Sequence, residues 1–493
     1  MKNIMTTNTT VTKPSIVYSS EQQAAIDKIV NFAEHGHGEI RLVGSAGVGK
    51  TTVLQEIIKQ IAALAIPITI ICPTHKAKTV AQKAINRDRD PNDLLANFYE
   101  PITLAKALGN IPTIKVEDGK KVFAQKGKAL KMGGFLVVDE ASMLSEYSRD
   151  KLLELVEDTA TILYVLDPVQ LPAIKSKSDV PCIYELKMAE ALLTTPQRFY
   201  AQSTIGTITT QLRKKDPRLT NFNWSGLATY CKDKPDVNIY SNEDKFEEAF
   251  LISMENHDWT NNPDSVRFLS YTNKQVDKYN SLVARLHFDN DTPNYIATEV
   301  LIAKSPFIRT DPNSTPDEIF TAAAKDTIHY LNNGSEFSLL DRIDTGSFIH
   351  PKYQNKPVEY FVWSAKNDEG EIFTTNIVSR KGQRNFNHIK ADLNKAALAI
   401  SDKQKKKKAK AWKNMYKFIN SFDDCKRAYA LTVHSSQGQT ISNVFVDMSF
   451  LEVKIAERLY RALTYTAYTR ASDSLHIYIP PHYVSRALVD TIR

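Results

Sequence analysis

The sequence predicts an α/β protein made of two parallel-sheet halves, with a small β-hairpin insertion in the first and a β-rich accessory segment in the second. Three observations predict it. Short apolar runs of strand type, EIRLV, IPITIICPT, FLVVDE and ATILYVLD, alternate with helical stretches in the first part of the chain. Strands separated by helices pair in parallel. The same texture returns at VRFLSYTN and again in RAYALTVHSSQG, NVFVDM and LHIYIP toward the end. Between these, from about Leu286 to Asp424, the pattern gives way to turns, short strands and a run of lysines.

The elements follow in order. Ser19 to Gly36 reads as a helix: Ser19 or Ser20 caps it, Ala25, Ile26, Ile29, Val30 and Phe32 form its apolar stripe, and Gly36 ends it. EIRLV is a buried strand that runs into GSAGVGKTT and a helix through Ile61. IKVEDGKKVFAQ, with Asp118-Gly119 between residues of strand type, reads as a hairpin inserted between two α/β strands. In the accessory segment, NNGSEFSLL and VEYFVWSAKNDEGEIFTT read as strands with turns at Asn333-Gly334 and Glu369-Gly370. KQKKKKAKAWKNMYKF reads as a basic helix, either a strand-tracking surface with Trp412, Tyr416 and Phe418 or a solvated face.

Composition narrows the class. A chain of 493 residues is too long for one core and fits about two to four domains. Its 24% charged and 42% hydrophobic residues suit a soluble globular protein. No run of about 18 apolar residues is present, so no membrane span is expected. The leading MKNIMTTNTTVTKPS is polar and reads as a frayed tail rather than a secretory signal. Cys72, Cys182, Cys231 and Cys425 lie far apart, without CxxC or zinc spacing. They are expected to be free thiols in a reducing cytoplasm. The net charge of +7 leans toward a polyanionic partner.

Gly44-Ser-Ala-Gly47-Val-Gly49-Lys50-Thr51-Thr52 fits G-x-x-x-x-G-K-[ST] between a strand and a helix. Its glycines let backbone N–H groups face phosphate oxygens, and the helix start adds partial positive charge. Lys50 supplies a point charge for the β and γ phosphates, and Thr51 a hydroxyl for Mg²⁺. FLVVDEAS delivers Asp139 and Glu140 at the end of an apolar strand. Asp139 suits Mg²⁺, and Glu140 the orientation and deprotonation of an attacking water. The pair makes the chain an expected NTPase, with the use of the energy left open.

The remaining motifs supply that use. SEQQAA at Ser20–Ala25, CPTHKA at Cys72–Ala77, ITL at Ile102–Leu104, VLDPVQLP at Val165–Pro172, LTTPQR at Leu193–Arg198, YTNKQV at Tyr271–Val276, TVHSSQG at Thr432–Gly438 and YTAYTRA at Tyr465–Ala471 occur in one order. Together they resemble superfamily 1 helicases of the RecD-like branch, over both α/β halves. The resemblance implies two RecA-like domains, at 1–210 (with a pin hairpin at about 111–130) and at 211–285 plus 425–493. It implies an SH3-like accessory domain at 286–424, where Asn332–Glu336 resembles a turn of that core.

The same resemblance assigns roles. Gln22 would read the adenine edge, Gln170 sense the γ-phosphate, Arg198 reach that phosphate, Arg470 act as arginine finger and Gly438 face ATP. Pro73, Thr74, His75, Lys76, Thr103, Thr272, Asn273, Thr432, His434 and Ser435 would contact DNA. Phe123 of the pin would meet a base at the fork. The implied activity is ATP- and Mg²⁺-dependent movement on single-stranded DNA, 5′ to 3′, with unwinding of fork DNA in phage replication or recombination. The implied form is a monomer, served by a single-strand binding protein or other replication proteins. A translocase that strips bound proteins, a P-loop kinase and a non-hydrolysing module are the alternatives. Thr440 stands where many members have a ribose-contacting Glu, which leaves the choice among NTPs open.

Overall fold

The computed structural model describes residues 17–87, 100–115, 117–119, 121–125, 127–173, 180–196, 203–213, 224–257, 262–287, 295–323, 328–452 and 456–484. The first half is built on β1 (Gly38–Gly44), β2 (Ile68–Cys72) and β3 (Ile102–Thr103). A hairpin, β4 (Asn110–Ile114) and β5 (Lys121–Gln125), is followed by β6 (Phe135–Val138), β7 (Thr161–Leu166) and β8 (Ala189–Leu193). Six of these form one parallel sheet in the order β3-β2-β6-β7-β1-β8. Every residue of β6 and β7 is buried, as central strands covered on both faces require. Helices α1 (Ser20–His35), α2 (Lys50–Ala63) and α3 (His75–Arg87) belong to this half. Ser19 and Gln22 form a capping box at the start of α1, and Ile26, Ile29, Val53, Ile57 and Ile61 join its helices to the sheet core.

The second half opens with β9 (Val237–Tyr240) and β10 (Val266–Ser270), followed by α4 (Asn273–His287). The chain then leaves it for the accessory strands β11 (Val300–Ala303), β12 (Phe307–Arg309), β13 (Ile328–Leu331), β14 (Glu336–Phe348), β15 (Val358–Asn367) and β16 (Ile372–Val378), helices α5 (Gln383–Leu398) and α6 (Lys405–Asn420), and β17 (Cys425–Arg427). It returns through β18 (Ala430–Thr432), β19 (Ile441–Asp447), α7 (Glu457–Tyr468) and β20 (Ala471–Tyr478). The second sheet has the order β18-β10-β19-β20-β9, again all parallel. Its core is aromatic: Phe246, Phe250, Phe268, Tyr279 and Phe445 touch one another, and the Phe268 and Tyr279 rings stack at 3.6 Å.

The accessory region is a five-stranded antiparallel sheet, β16-β15-β14-β11-β17, beside the β12-β13 pair. Cys425–Arg427 still pairs with β11, so the return to the second half begins just after it. The 13-residue β14 runs as a ribbon with β15. Its middle, Asp341–Thr345, is exposed, while its two ends enter separate cores. Phe337 and Leu339 join Leu301, Trp363 and Phe373. Phe348, at the far end, joins Ile389 and Leu393 of α5 and Trp412, Met415 and Phe418 of α6. The basic segment is therefore helical, as expected. Its apolar residues recur at helical spacing and face this second core, while Lys405, Lys406, Lys407, Lys410 and Lys413 are exposed.

The hairpin is in place, with Asn110 opposite Gln125 and Ile114 opposite Lys121. Its tip rests on α6: Tyr416 donates its hydroxyl hydrogen to the Gly119 carbonyl at 2.7 Å. The side chain of Phe123 lies outside the described residues. All four cysteines are free thiols. Among the described residues, no helix is long and apolar enough to cross a membrane.

Candidate nucleotide cleft and nucleic-acid interface

Parallel strands carry their following loops to one edge of a sheet, and ligands gather there. β1 delivers Gly44 and the loop to Lys50, β6 delivers Asp139 and Glu140, and β7 delivers Asp167 to Gln170. Gly47 and Gly49 have φ of +76° and +85°, a backbone that side chains with Cβ rarely adopt. Gly49 is the N-cap of α2, so the helix start opens directly on the loop. Lys50 Nζ lies inside the curl, donating to the carbonyls of Gly44 and Ser45 at 2.9 and 3.0 Å.

One cavity of about 500 Å³ gathers Gln22, Gly47, Gly49, Lys50, Thr51, Thr52, Asp139, Glu140 and Gln170 from the first half. Gly438, Thr440 and Arg470 of the second half line the same cavity. Twelve positions singled out in the sequence thus share one cleft, Thr440 among them. Gln22 is nearly buried at its rim: its Oε1 accepts from Ser19 N–H and its Nε2 donates to the Val48 carbonyl. Gln170 is also buried, and among the described residues its Oε1 has no hydrogen-bond partner. Glu140 adopts φ +49°, the left-handed region that is costly for a residue with Cβ. Burial and the adjacent Glu140 push the Asp139 carboxyl up to about 6, against the Glu140 N–H and Lys50.

The two halves are joined at the loop that follows β7. The Tyr465 hydroxyl donates to Asp167 Oδ2 at 2.6 Å and accepts from the Ala46 N–H at 3.3 Å. Leu171 N–H donates to Thr466 Oγ1, and Gln437 Nε2 donates to the Leu171 carbonyl. A Cβ placed on Gly438 would lie 3.9 Å from Glu140 Oε1, so the TVHSSQG turn abuts the carboxylate at the cleft. Arg470 is held within its own half, donating to the carbonyls of Thr466 and Gln439 and to Thr469 Oγ1. In the sequence, Tyr465, Thr466 and Gln437 stand only as neighbours of more familiar positions. Their polar groups on otherwise apolar or small-residue stretches were the available signal. Arg198 lies outside the described residues.

The positions expected to meet DNA sit at the ends of β2, β3, β10 and β18. Thr74, Thr103 and Thr272 each accept a backbone N–H three residues on, so each hydroxyl caps the helix that follows. Pro73 precedes that cap and Asn273 begins α4. Thr432 Oγ1 and Ser435 Oγ bond at 2.8 Å. His434 lies beside Tyr271, with ring centroids 6.3 Å apart. Burial holds both His75 and His434 below the usual imidazole range, with Lys78 adding to the effect on His75. Both rings are then neutral hydrogen-bonding groups at pH 7 rather than cations. Lys76 is ion-paired with Glu336 of the accessory sheet at 3.0 Å.

Two protein families match parts of this chain. The AAA domain family matches residues 17–230, and the UvrD-like helicase C-terminal domain family matches residues 427–478. An uncharacterized protein of Acanthamoeba polyphaga mimivirus is 23% identical over 93% of this chain and 99% of its own length. Among solved structures, Pif1 helicases acting in pairs at forked double-stranded DNA share 13% identity, covering 97% of this chain and 96% of theirs at a TM-score of 0.49. Bacteroides Pif1 bound to single-stranded DNA shares 13% over the same fractions at 0.47. Pif1 helicase from Candida albicans shares 16%, covering 97% and 99%, at 0.43. An AAA domain thus lines one side of the nucleotide cleft and a UvrD-like helicase C-terminal domain the other, the pairing of a helicase-type ATPase.

Proposed function

We propose that the chain moves 5′ to 3′ along single-stranded DNA at the expense of ATP and opens the duplex ahead of it. The finer placement is the RecD-like branch, in the manner of the Dda helicase of T-even phages, with a role in phage replication or recombination. The observation that carries the proposal is the composition of the cleft: Lys50, Glu140 and Gln170 face Arg470 across two halves that also carry the expected DNA-contacting motifs. A nucleotide bound there touches both halves at once. Its hydrolysis then changes how strongly they are held together, which is a hinge biased by ligand.

Each residue has a task in that cycle. The loop N–H groups and Lys50 bind the phosphates, and Glu140 takes the proton of the attacking water. Arg470, once exchanged from its backbone carbonyls, offsets charge developing on the γ-phosphate. The Thr51 hydroxyl and the Asp139 carboxylate are hard oxygen donors suited to Mg²⁺. Among the described residues, no cluster of three or more His, Cys, Asp or Glu could hold a metal by itself, which fits an ion shared with the nucleotide. Magnesium would supply charge neutralisation at the phosphates.

The hairpin fits the role of a pin. Opening one base pair costs on the order of 1.4 kcal/mol, so a braced wedge that blocks reannealing is sufficient. Tyr416 and Trp412 hold the hairpin tip against the accessory region, which supplies the brace. Strand displacement on duplexes with either a 5′ or a 3′ single-stranded tail tests the proposal. Displacement from the 5′ tail alone supports it. Displacement from the 3′ tail alone reverses the polarity, and DNA-stimulated ATPase without displacement leaves a translocase.

A further inference from the structure

Lys76 and Glu336 form a contact that the nucleotide cycle does not use. Lys76 stands in the first turn of α3, in the first half; Glu336 begins β14, in the accessory sheet. Glu336 Oε2 lies 3.0 Å from Lys76 Nζ and also 3.0 Å from Arg267 Nη2, on β10 of the second half. One carboxylate oxygen therefore joins cations from both halves. Glu336 and Arg267 are buried, at 3% and 0% exposure. Burial works against the carboxylate charge, and Arg267 and Lys76 outweigh it, holding the carboxyl below its usual range. Lys78, two residues on, also faces accessory acids and lies 3.9 Å from Glu369. A cavity of about 150 Å³ opens between His75, Lys76 and Lys78 on one wall and Glu336, Asp368 and Glu369 on the other.

We propose that Glu336 is a stand-in for a nucleic-acid phosphate on Lys76, and that a backbone phosphate of single-stranded DNA displaces it. A carboxylate oxygen between two cations has the charge and hydrogen-bonding geometry of a bound phosphate oxygen. Sharing makes the exchange inexpensive. When Lys76 moves to a phosphate, Glu336 keeps Arg267, so no buried charge is orphaned, the outcome that makes breaking such pairs costly. The exchange frees the first half from the accessory sheet at the moment DNA is gripped. Glu336 is thus a positioning residue that sets the threshold for strand binding. The inference rests on the DNA-binding reading of the CPTHK motif.

The test is binding of a fluorescent oligo-dT to the full chain across a salt series. The variants are Glu336→Gln, Lys76→Met and the two combined. Glu336→Gln is expected to tighten binding on the order of tenfold, since the competing carboxylate is neutralised. In the Lys76→Met background the same change is expected to have no effect. Lys76→Met alone should lower the slope of log K against log salt by about 0.7, one phosphate contact on a single strand. If Glu336→Gln folds poorly because Arg267 loses its partner, Glu336→Gln with Arg267→Met removes both charges and carries the same expectation. Binding no tighter than wild type overturns the inference. A gain that persists without Lys76 also overturns it, because it would reflect general charge repulsion. Failure of the wild-type chain to bind the oligonucleotide overturns the functional reading as well.

Discussion

Tyr465 donates its hydroxyl hydrogen to Asp167 across the two halves, 298 residues apart in sequence and 2.6 Å apart in space. The same oxygen accepts from Ala46 of the phosphate loop, so one phenol of α7 links that loop to the loop following β7. Tyr465 and Asp167 are both about 1% exposed. A buried hydrogen bond to a charged group contributes about 1.5–3 kcal/mol. Tyr465→Phe removes the bond and keeps the ring. It is expected to lower DNA-stimulated ATPase turnover by about tenfold or more while nucleotide affinity changes little. Steady-state kinetics with and without oligo-dT, beside titration of a fluorescent nucleotide, separates the two effects.

Glu140 combines its proposed role as base with an unfavourable backbone. Its φ of +49° costs on the order of 1 kcal/mol or more, and it lies against the Asp139 carboxylate. Glu140→Gln keeps the shape and removes the base, so ATP should still bind while turnover falls by about a thousandfold, within the range of lost general-base catalysis. Glu140→Asn is also inactive, but Asn tolerates the left-handed region. It should melt above wild type, by about 1 kcal/mol of stability. Thermal unfolding of the two variants side by side checks this, and an Asn variant less stable than the Gln variant would contradict the strain.

Asp139 gives the cleft a pH response. Its carboxyl is raised to about 6, chiefly by burial and then by Glu140. The charged form is the one that suits a cation, and the raised value means it is lost as pH falls below about 6. Magnesium-dependent nucleotide affinity is therefore expected to be level above pH 7 and to drop toward tenfold per unit below 6. Affinity measured without magnesium should follow pH much less steeply. Asp139→Asn should abolish the difference between the two curves.

Local features of this cleft were legible in the sequence, and long-range ones were not. The phosphate loop is dictated by its own glycines, and Asp139-Glu140 by the end of an apolar strand, so spacing alone found them. The hairpin was legible because Asp118-Gly119 sets its turn. Nothing local in Glu336, Tyr465 or Trp412 announces which partner it meets. Their contacts with Lys76, Asp167 and the hairpin tip join residues hundreds of positions apart, and arise only when two sheets and the accessory region fold onto one another. The threonines show the converse. Thr74, Thr103 and Thr272 fit a nucleic-acid motif, yet each is also the cap that its helix requires, and a sequence pattern cannot separate the two demands.

Gly119 is the position at which the brace on the hairpin can be removed with least damage elsewhere. It has φ +70°, and a Cβ there would come within 2.6 to 2.7 Å of the Trp412 ring, closer than carbon atoms tolerate. Trp412 is 1% exposed and belongs to the core formed with α5, so the ring cannot withdraw. Gly119→Val must therefore lift the tip from α6 and weaken the bond that Tyr416 makes to its carbonyl. The nucleotide cleft lies elsewhere in the fold and shares no residue with this contact. DNA-stimulated ATPase should stay within about twofold of wild type, as for a surface change away from the site. Strand displacement should fall by about tenfold, because a wedge that yields to the fork no longer resists the roughly 1.4 kcal/mol of each closing base pair. Tyr416→Phe, which removes only the hydrogen bond, should fall between the two. Parallel loss of ATPase and displacement in Gly119→Val would place the hairpin in the motor rather than at the fork.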